Sequence, residues 1–375
     1  MAGIYIHIPF CKQACHYCDF HFSTSLKKKD GMVLALAKEI RLRKHEFEQE
    51  TVETIYFGGG TPSILAVEDI RLLIDTVYQN YKVADNPEIT VEANPDDLSE
   101  KRIVELHQHN INRLSIGIQS FFEEDLKLMN RAHNAAEAKK CLQIARQYFD
   151  NISIDLIYGT PGMDNNRWLE NIRTALELNI PHISSYALTV EPKTALQKFI
   201  TQGVIPQPDD EVAHEQFLML VDALEANGFI HYELSNFGKE NYFSRNNSAY
   251  WLGKKYIGIG PSAHSYDGVH RSWNIANNSL YLKSLENESL PSEEETLSKT
   301  DRYNEYIMTG LRTVWGVSLD RIRNEFGEDY QKALLQQAQQ YLDNGKLEVS
   351  EHVLRTTRKG KFFSDGIASD LFILN

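Results

Sequence analysis

The pattern of apolar and polar positions divides the first half of the chain into six strands separated by helical segments. The first strand covers residues 3–10, with Ile4, Ile6 and Ile8 on one face and Tyr5 and His7 on the other. The next five cover residues 54–57, 88–95, 113–120, 152–162 (with its turn) and 182–189. Helical spacing fills residues 31–48, 66–81, 99–109, 136–145 and 166–178. Strands that alternate with helices predict an α/β fold with a parallel sheet. Six such units rather than eight predict an incomplete (β/α)6 barrel, open on one side to admit a large substrate. Functional side chains are expected at or just after the strand C-termini, where such barrels place their sites.

The second half reads differently. A helix is predicted at 209–227, and residues 277–298 are polar enough to read as a linker or surface loop. Helices follow at 301–313, 318–326 and 328–343, then a hairpin formed by 346–349 and 353–356. Helices followed by a hairpin predict a small winged-helix-like domain. The expected organisation is a partial barrel over 1–205, an extension and linker closing it over 206–298, and the C-terminal domain over 299–375.

Composition narrows the function. A chain of 375 residues with 42% hydrophobic and 24% charged residues is globular and long enough for one large and one small domain. Its net charge of −13 argues against a general nucleic-acid or anionic-membrane binder, winged-helix shape notwithstanding. No apolar run approaches the ~20 residues of a membrane span, which leaves only a peripheral membrane contact open. The N-terminus lacks a basic-plus-apolar leader, so a cytoplasmic, reducing location is expected.

Three of the four cysteines, Cys11, Cys15 and Cys18, fall in a C-x3-C-x2-C run. A disulfide framework belongs to small secreted domains. A zinc site needs four ligands, and His7 or His16 could supply the fourth. An iron–sulfur cubane held by three thiolates keeps one iron open to a ligand. Cys141 lies in a helical stretch and reads as a buried structural thiol. Gly58-Gly59-Gly60-Thr61-Pro62, at the end of the second strand, lets backbone approach a ligand closely. Asp155 is an acid within an apolar run and needs a partner. His133 reads as a structural histidine as readily as a functional one.

The cysteine spacing, with Tyr17 just before the third cysteine, resembles the signature of the radical S-adenosylmethionine (SAM) superfamily. Within it, Tyr5-Ile6-His7-Ile8-Pro9-Phe10-Cys11 resembles the oxygen-independent coproporphyrinogen III oxidases and their relatives, the HemW-type heme chaperones. The resemblance implies a three-quarter barrel and a 4Fe–4S cluster on Cys11, Cys15 and Cys18. It implies SAM held by Tyr5, Tyr17, Gly59, Gly60, Thr61, Glu92, Gln119, Arg131, Asp155 and Ala187. The glycines would lie against the cofactor's amino group, Arg131 near its carboxylate, Asp155 at the ribose and Ala187 at the adenine.

Three functions follow from the resemblance. One is a chaperone that carries heme to an apo-hemoprotein. Another is an oxidase that turns two propionates of coproporphyrinogen III into vinyls, and the third is another radical SAM reaction. Phe20 stands where the oxidases carry a further cysteine, and only ten residues precede Cys11, which favours the chaperone. In the chaperones a segment usually reads His-Asn-x-x-Tyr-Trp, its histidine linked to heme. Here Asn246 takes that histidine's place, and His264, His21 and His270 are the substitute heme candidates.

Overall fold

The computed structural model describes residues 2–374. Its main sheet has twelve strands. They are β1 (Ala2–Ile8), β2 (Val52–Gly59), β3 (Val83–Ala93), β4 (Arg113–Gln119), β5 (Asn151–Tyr158), β6 (His182–Ala187), β7 (Ile230–Glu233), β8 (Asn236–Gly238), β9 (Lys255–Ile259), β10 (His264–Tyr266), β11 (His270–Asn274) and β12 (Ser292–Thr296). Their spatial order is β12-β11-β10-β9-β1-β2-β3-β4-β5-β6-β8-β7. Strands β1 to β6 run parallel in sequence order, as the six-unit reading predicts. β9 adds in parallel beside β1, and the antiparallel β8–β7 hairpin adds beside β6. The two ends, β12 and β7, do not pair, so the barrel is not closed.

Local sequence explains the units. In helix Val67–Asn80, Ile70, Leu73, Ile74 and Val77 recur at helical spacing and are all buried. Helix Ala135–Ala145 starts in a capping box: Asn134 Oδ1 accepts from Glu137 N, and Glu137 Oε2 accepts from Asn134 N, both at 2.9 Å. Cys141 is buried in that helix. Along β4, Leu114, Ile116 and Ile118 join the apolar core, whereas Arg113, Ser115, Gly117 and Gln119 line cavities inside the barrel. The period-two alternation thus separates core from interior.

Residues 277–298 are not a linker. They form helix Asn278–Glu286, which buries Tyr281 and Leu285 in the main core, and then the edge strand β12. All five side chains of β12 are exposed, and it is held by antiparallel pairing to β11. An edge strand needs no apolar face to pair, and its charges discourage further pairing.

The C-terminal region has its own core around Tyr303, Ile307, Leu334 and Leu354. Helices Lys299–Leu311 and Glu328–Asp343 pack with β13 (Val317–Ser318), β14 (Leu347–Ser350) and β15 (Val353–Thr356), a three-stranded sheet in the order β13-β15-β14. Between β13 and the second long helix, Leu319–Arg321 widens into a π-helical turn, Ile322–Phe326, where one helix is predicted. Among the described residues no helix is long and apolar enough to cross a membrane.

Candidate functional site

The cysteine loop leaves the end of β1 and closes on itself. Cys11 N donates to Ser23 O at 3.1 Å, and Ser23 N donates to Pro9 O at 3.0 Å. The glycine loop after β2 is stitched to it: Gly60 N donates to Ile8 O at 2.9 Å and Thr61 N to Phe10 O at 2.7 Å. A Cβ on Gly60 would stand 2.5 Å from Phe10 O, and one on Gly59 would stand 2.5 Å from the His7 ring. Glycine at both positions is what allows the two loops this contact. Between them lies a cavity of about 150 Å³ lined by Cys11, Cys15 and Cys18. Tyr17, Gly59, Gly60, Thr61, Glu92, Gln119, Arg131 and Asp155 line it as well.

Buried charge is concentrated here. Arg131 Nη1 donates to Cys15 Sγ at 3.2 Å, and Nη2 donates to Asn94 Oδ1 at 2.6 Å and to Gly117 O at 2.8 Å. Its Nε is buried without a partner. Gly117 makes room for this fork, since a Cβ there would meet Arg131 Nη2 at 3.1 Å. Burial pushes the Cys18 thiol up to about 11 and raises Cys11, so both thiols stay protonated until a cation joins them. Glu92 accepts from Tyr56 Oη at 2.7 Å, yet burial lifts its carboxyl to about 7. Burial likewise lifts Asp155 to about 6. Gln119, at the end of β4, adopts a left-handed φ of 67°, a strained conformation typical of functional positions.

The donor set fits an iron–sulfur cluster with an open corner. The two histidines offered as a fourth zinc ligand are bonded elsewhere. His7 Nε2 bonds to His21 O at 3.0 Å, and His16 Nδ1 donates to Leu128 O at 2.8 Å. Neither ring lines the thiol cavity. Among the described residues no three His, Cys, Asp or Glu side chains gather closely enough to share one ion.

A second cavity of about 500 Å³ shares Tyr17, Cys18, Glu92, Gln119 and Asp155 with the first. Tyr5 and Ala187 line it too, so the two cavities together bring all ten residues assigned to SAM into one continuous region. Its apolar and aromatic wall includes Phe20, Tyr56, Ile157, Tyr186 and Leu188. Arg113, His182, Ser184, Asn236 and Asn246 give it a polar portion.

Of these, Arg113, His182 and Tyr56 are absent from the sequence-based set. A signal for them existed, because each occupies an inward position of a period-two strand. His182 is bonded at both ring nitrogens, to Ser153 Oγ at 2.7 Å and to Tyr232 Oη at 2.8 Å. Burial holds it neutral. Asn246 reaches the cavity from helix Arg245–Trp251, its Oδ1 accepting from Thr54 Oγ1 at 3.0 Å.

The three substitute heme candidates line neither cavity. His21 Nε2 bonds to Asn278 Oδ1 at 2.8 Å, His264 sits exposed on β10, and His270 pairs with Asp267 at 2.9 Å. His133 is buried, with Nε2 bonded to Ile118 O at 3.1 Å.

Comparison with known proteins places this geometry. The family model described as "Radical SAM superfamily" matches residues 5–175, and "HemN C-terminal domain" matches residues 297–363. The heme chaperone HemW of Bacillus subtilis is 33% identical, with 98% of each chain covered. HemW of Escherichia coli is 38% identical over 70% of this chain and 69% of that protein. The solved structure of E. coli coproporphyrinogen III oxidase, HemN, superposes with a TM-score of 0.86 at 22% identity, covering 99% of this chain and 90% of that one. That likeness establishes the shared fold. Full-length similarity to the chaperones, joined to the three-cysteine cavity, shows that this chain belongs to the HemW-type proteins of the radical SAM superfamily.

Proposed function

We propose that this chain binds heme in the large cavity, beside a SAM and 4Fe–4S site, and hands it to an apo-hemoprotein. The observation that carries the reading is the large cavity itself, whose aromatic and apolar wall shares side chains with the cysteine pocket. Its volume falls within the roughly 300–1,000 Å³ of cavities that enclose drug-sized ligands. The curated relatives, matched over nearly their full length, are named heme chaperones. A reducing, cytoplasmic setting suits such a cluster.

Cys11, Cys15 and Cys18 would hold the cluster, and Arg131 would present its fork to the SAM carboxylate. Glu92 and the Gly59–Gly60 backbone would face the amino group, Asp155 the ribose and Ala187 the adenine side. Tyr5, Tyr17, Thr61 and Gln119 complete the wall. When bound, the cluster supplies the electron for reductive cleavage of SAM. The partly protonated state of Glu92 and Asp155 near neutral pH keeps two buried carboxyls from repelling each other before a cationic ligand arrives.

The test is anaerobic titration of the cluster-reconstituted protein with hemin, followed by addition of apo-myoglobin as acceptor. Saturable Soret change and transfer to the acceptor are expected. Non-saturating association, or hemin that the acceptor never receives, would contradict the reading.

A further inference from the structure

Arg113 opens β4 and is only 2% exposed. It lines the large cavity and not the cysteine pocket, whereas Arg131 lines the cysteine pocket and not the large cavity. Among the described residues the Arg113 side chain makes no hydrogen bond and no ion pair, and its Nε is buried without a partner. Another buried arginine, Arg43, shows what a structural guanidinium looks like here. It is saturated by Glu39, Glu46, Gly258 O and Ser265.

The nearby anions act on Arg113 only at a distance: its charge helps hold down the carboxyls of Asp155 and Glu92, while Glu92 takes its hydrogen bonds from Tyr56 and Gly59 N. Neither carboxylate comes within ion-pair distance of Arg113. His182, on the same wall, is neutral and bonded at both nitrogens. A buried cation without a hydrogen-bonded partner is costly, and a guanidinium fork matches a carboxylate at two points.

We propose that Arg113 is a carboxylate anchor in the large cavity, taking the acid group of an otherwise apolar ligand. In the heme reading that group is a propionate. The inference rests on that reading for the identity of the ligand and adds the group that is recognised. Arg131 remains the partner of the SAM carboxylate.

The experiment compares the cluster-reconstituted protein with its Arg113→Gln and Arg113→Lys variants. Each is titrated with hemin, hemin dimethyl ester and SAM, and each is melted with and without octanoate. The native protein should prefer hemin over its ester by about tenfold or more, the worth of a charge-assisted hydrogen bond. R113Q should lose that preference, keep its SAM affinity and melt no lower than the native protein. Equal preference in both proteins would overturn the anchor. So would an R113Q that melts lower and loses both porphyrins alike, or one that loses SAM but keeps hemin.

Should R113Q fail to fold, R113K keeps the charge without the fork, and its hemin-over-ester ratio decides instead. If the native protein binds neither porphyrin, the heme reading falls, and octanoate decides the anchor. Stabilisation of the native protein but not of the variant sustains it, and equal response ends it.

Discussion

Glu92 sits where function and stability pull apart. Its carboxyl rises from an ordinary 4.5 to about 7 in the fold, chiefly through burial. Between those values the folded chain keeps a proton that the unfolded chain has released, so stability falls as pH climbs from about 4.5 to 7 and is level above. The loss at pH 8 is about 3 kcal/mol. Glu92→Gln removes it, so in the cofactor-free protein this variant should melt higher at pH 8, with the gain shrinking towards pH 5. A lower melting temperature at pH 8 would contradict the assignment. Cys15→Ala should leave almost no cluster iron and abolish the visible absorbance, whereas Cys141→Ala, in a helix away from the pocket, should keep both. Iron analysis of the two variants decides this. At this scale Glu92 and Gln119 were legible through the family resemblance, and Asp155, inside β5, as an acid within an apolar run. Arg113 and His182 were not, because both stand at the starts of their strands. The alternation Arg113-Leu114-Ser115-Ile116 marks the inward positions, but it does not say that the interior is a cavity rather than a packed core.

The element that shapes the polar part of the large cavity is helix Arg245–Trp251. Its N-terminus is capped across the chain by Glu88, whose carboxylate accepts from Arg245 N and Asn246 N, both at 3.1 Å. Ser244 Oγ adds a bond from Asn247 N at 3.3 Å. A carboxylate at a helix N-terminus satisfies orphan donors and meets the positive end of the helix. Glu88→Ala should cost about 1–3 kcal/mol, and it should weaken hemin binding by displacing Asn246, Asn247 and Tyr250. Thermal melts and hemin titration check both effects, and an unchanged melt would contradict the capping role. The six strand–helix units were legible because each carries one apolar face of the right period. β12 was not, because Ser292-Glu293-Glu294-Glu295-Thr296 carries no apolar face and pairs through its backbone, with the Arg271–Glu295 ion pair at 3.3 Å beside it. Helix Asn278–Glu286 was hidden for a related reason, its buried anchors being only Tyr281 and Leu285.

The C-terminal core docks on the main core in several places, through the Arg271–Glu305 ion pair, through Val314 N donating to Tyr232 O at 3.0 Å, and along a seam around Phe362. Phe362, from the C-terminal region, packs on the main core, with ring centroids 4.5 Å from His214 and 5.5 Å from Phe217. Arg358 pairs with Asp222, and Lys361 Nζ bonds to His231 Nδ1 at 3.0 Å, along the same seam. Phe362→Ala removes the apolar part of this joint, at a cost of up to about 3 kcal/mol for a half-buried ring. Calorimetry should resolve its unfolding into two transitions, and a single unshifted transition would contradict the picture. At this scale the net charge of −13 and the fold class could be read from the chain, whereas the docking of the C-terminal core could not, since it joins residues far apart in the sequence. In the proposed function the radical SAM architecture serves heme handling rather than decarboxylation. The most direct measurement incubates the reconstituted protein anaerobically with SAM and reductant, once with coproporphyrinogen III and once with hemin. Stoichiometric hemin binding with no protoporphyrinogen formed is the predicted result, and protoporphyrinogen accumulating over many turnovers would contradict it.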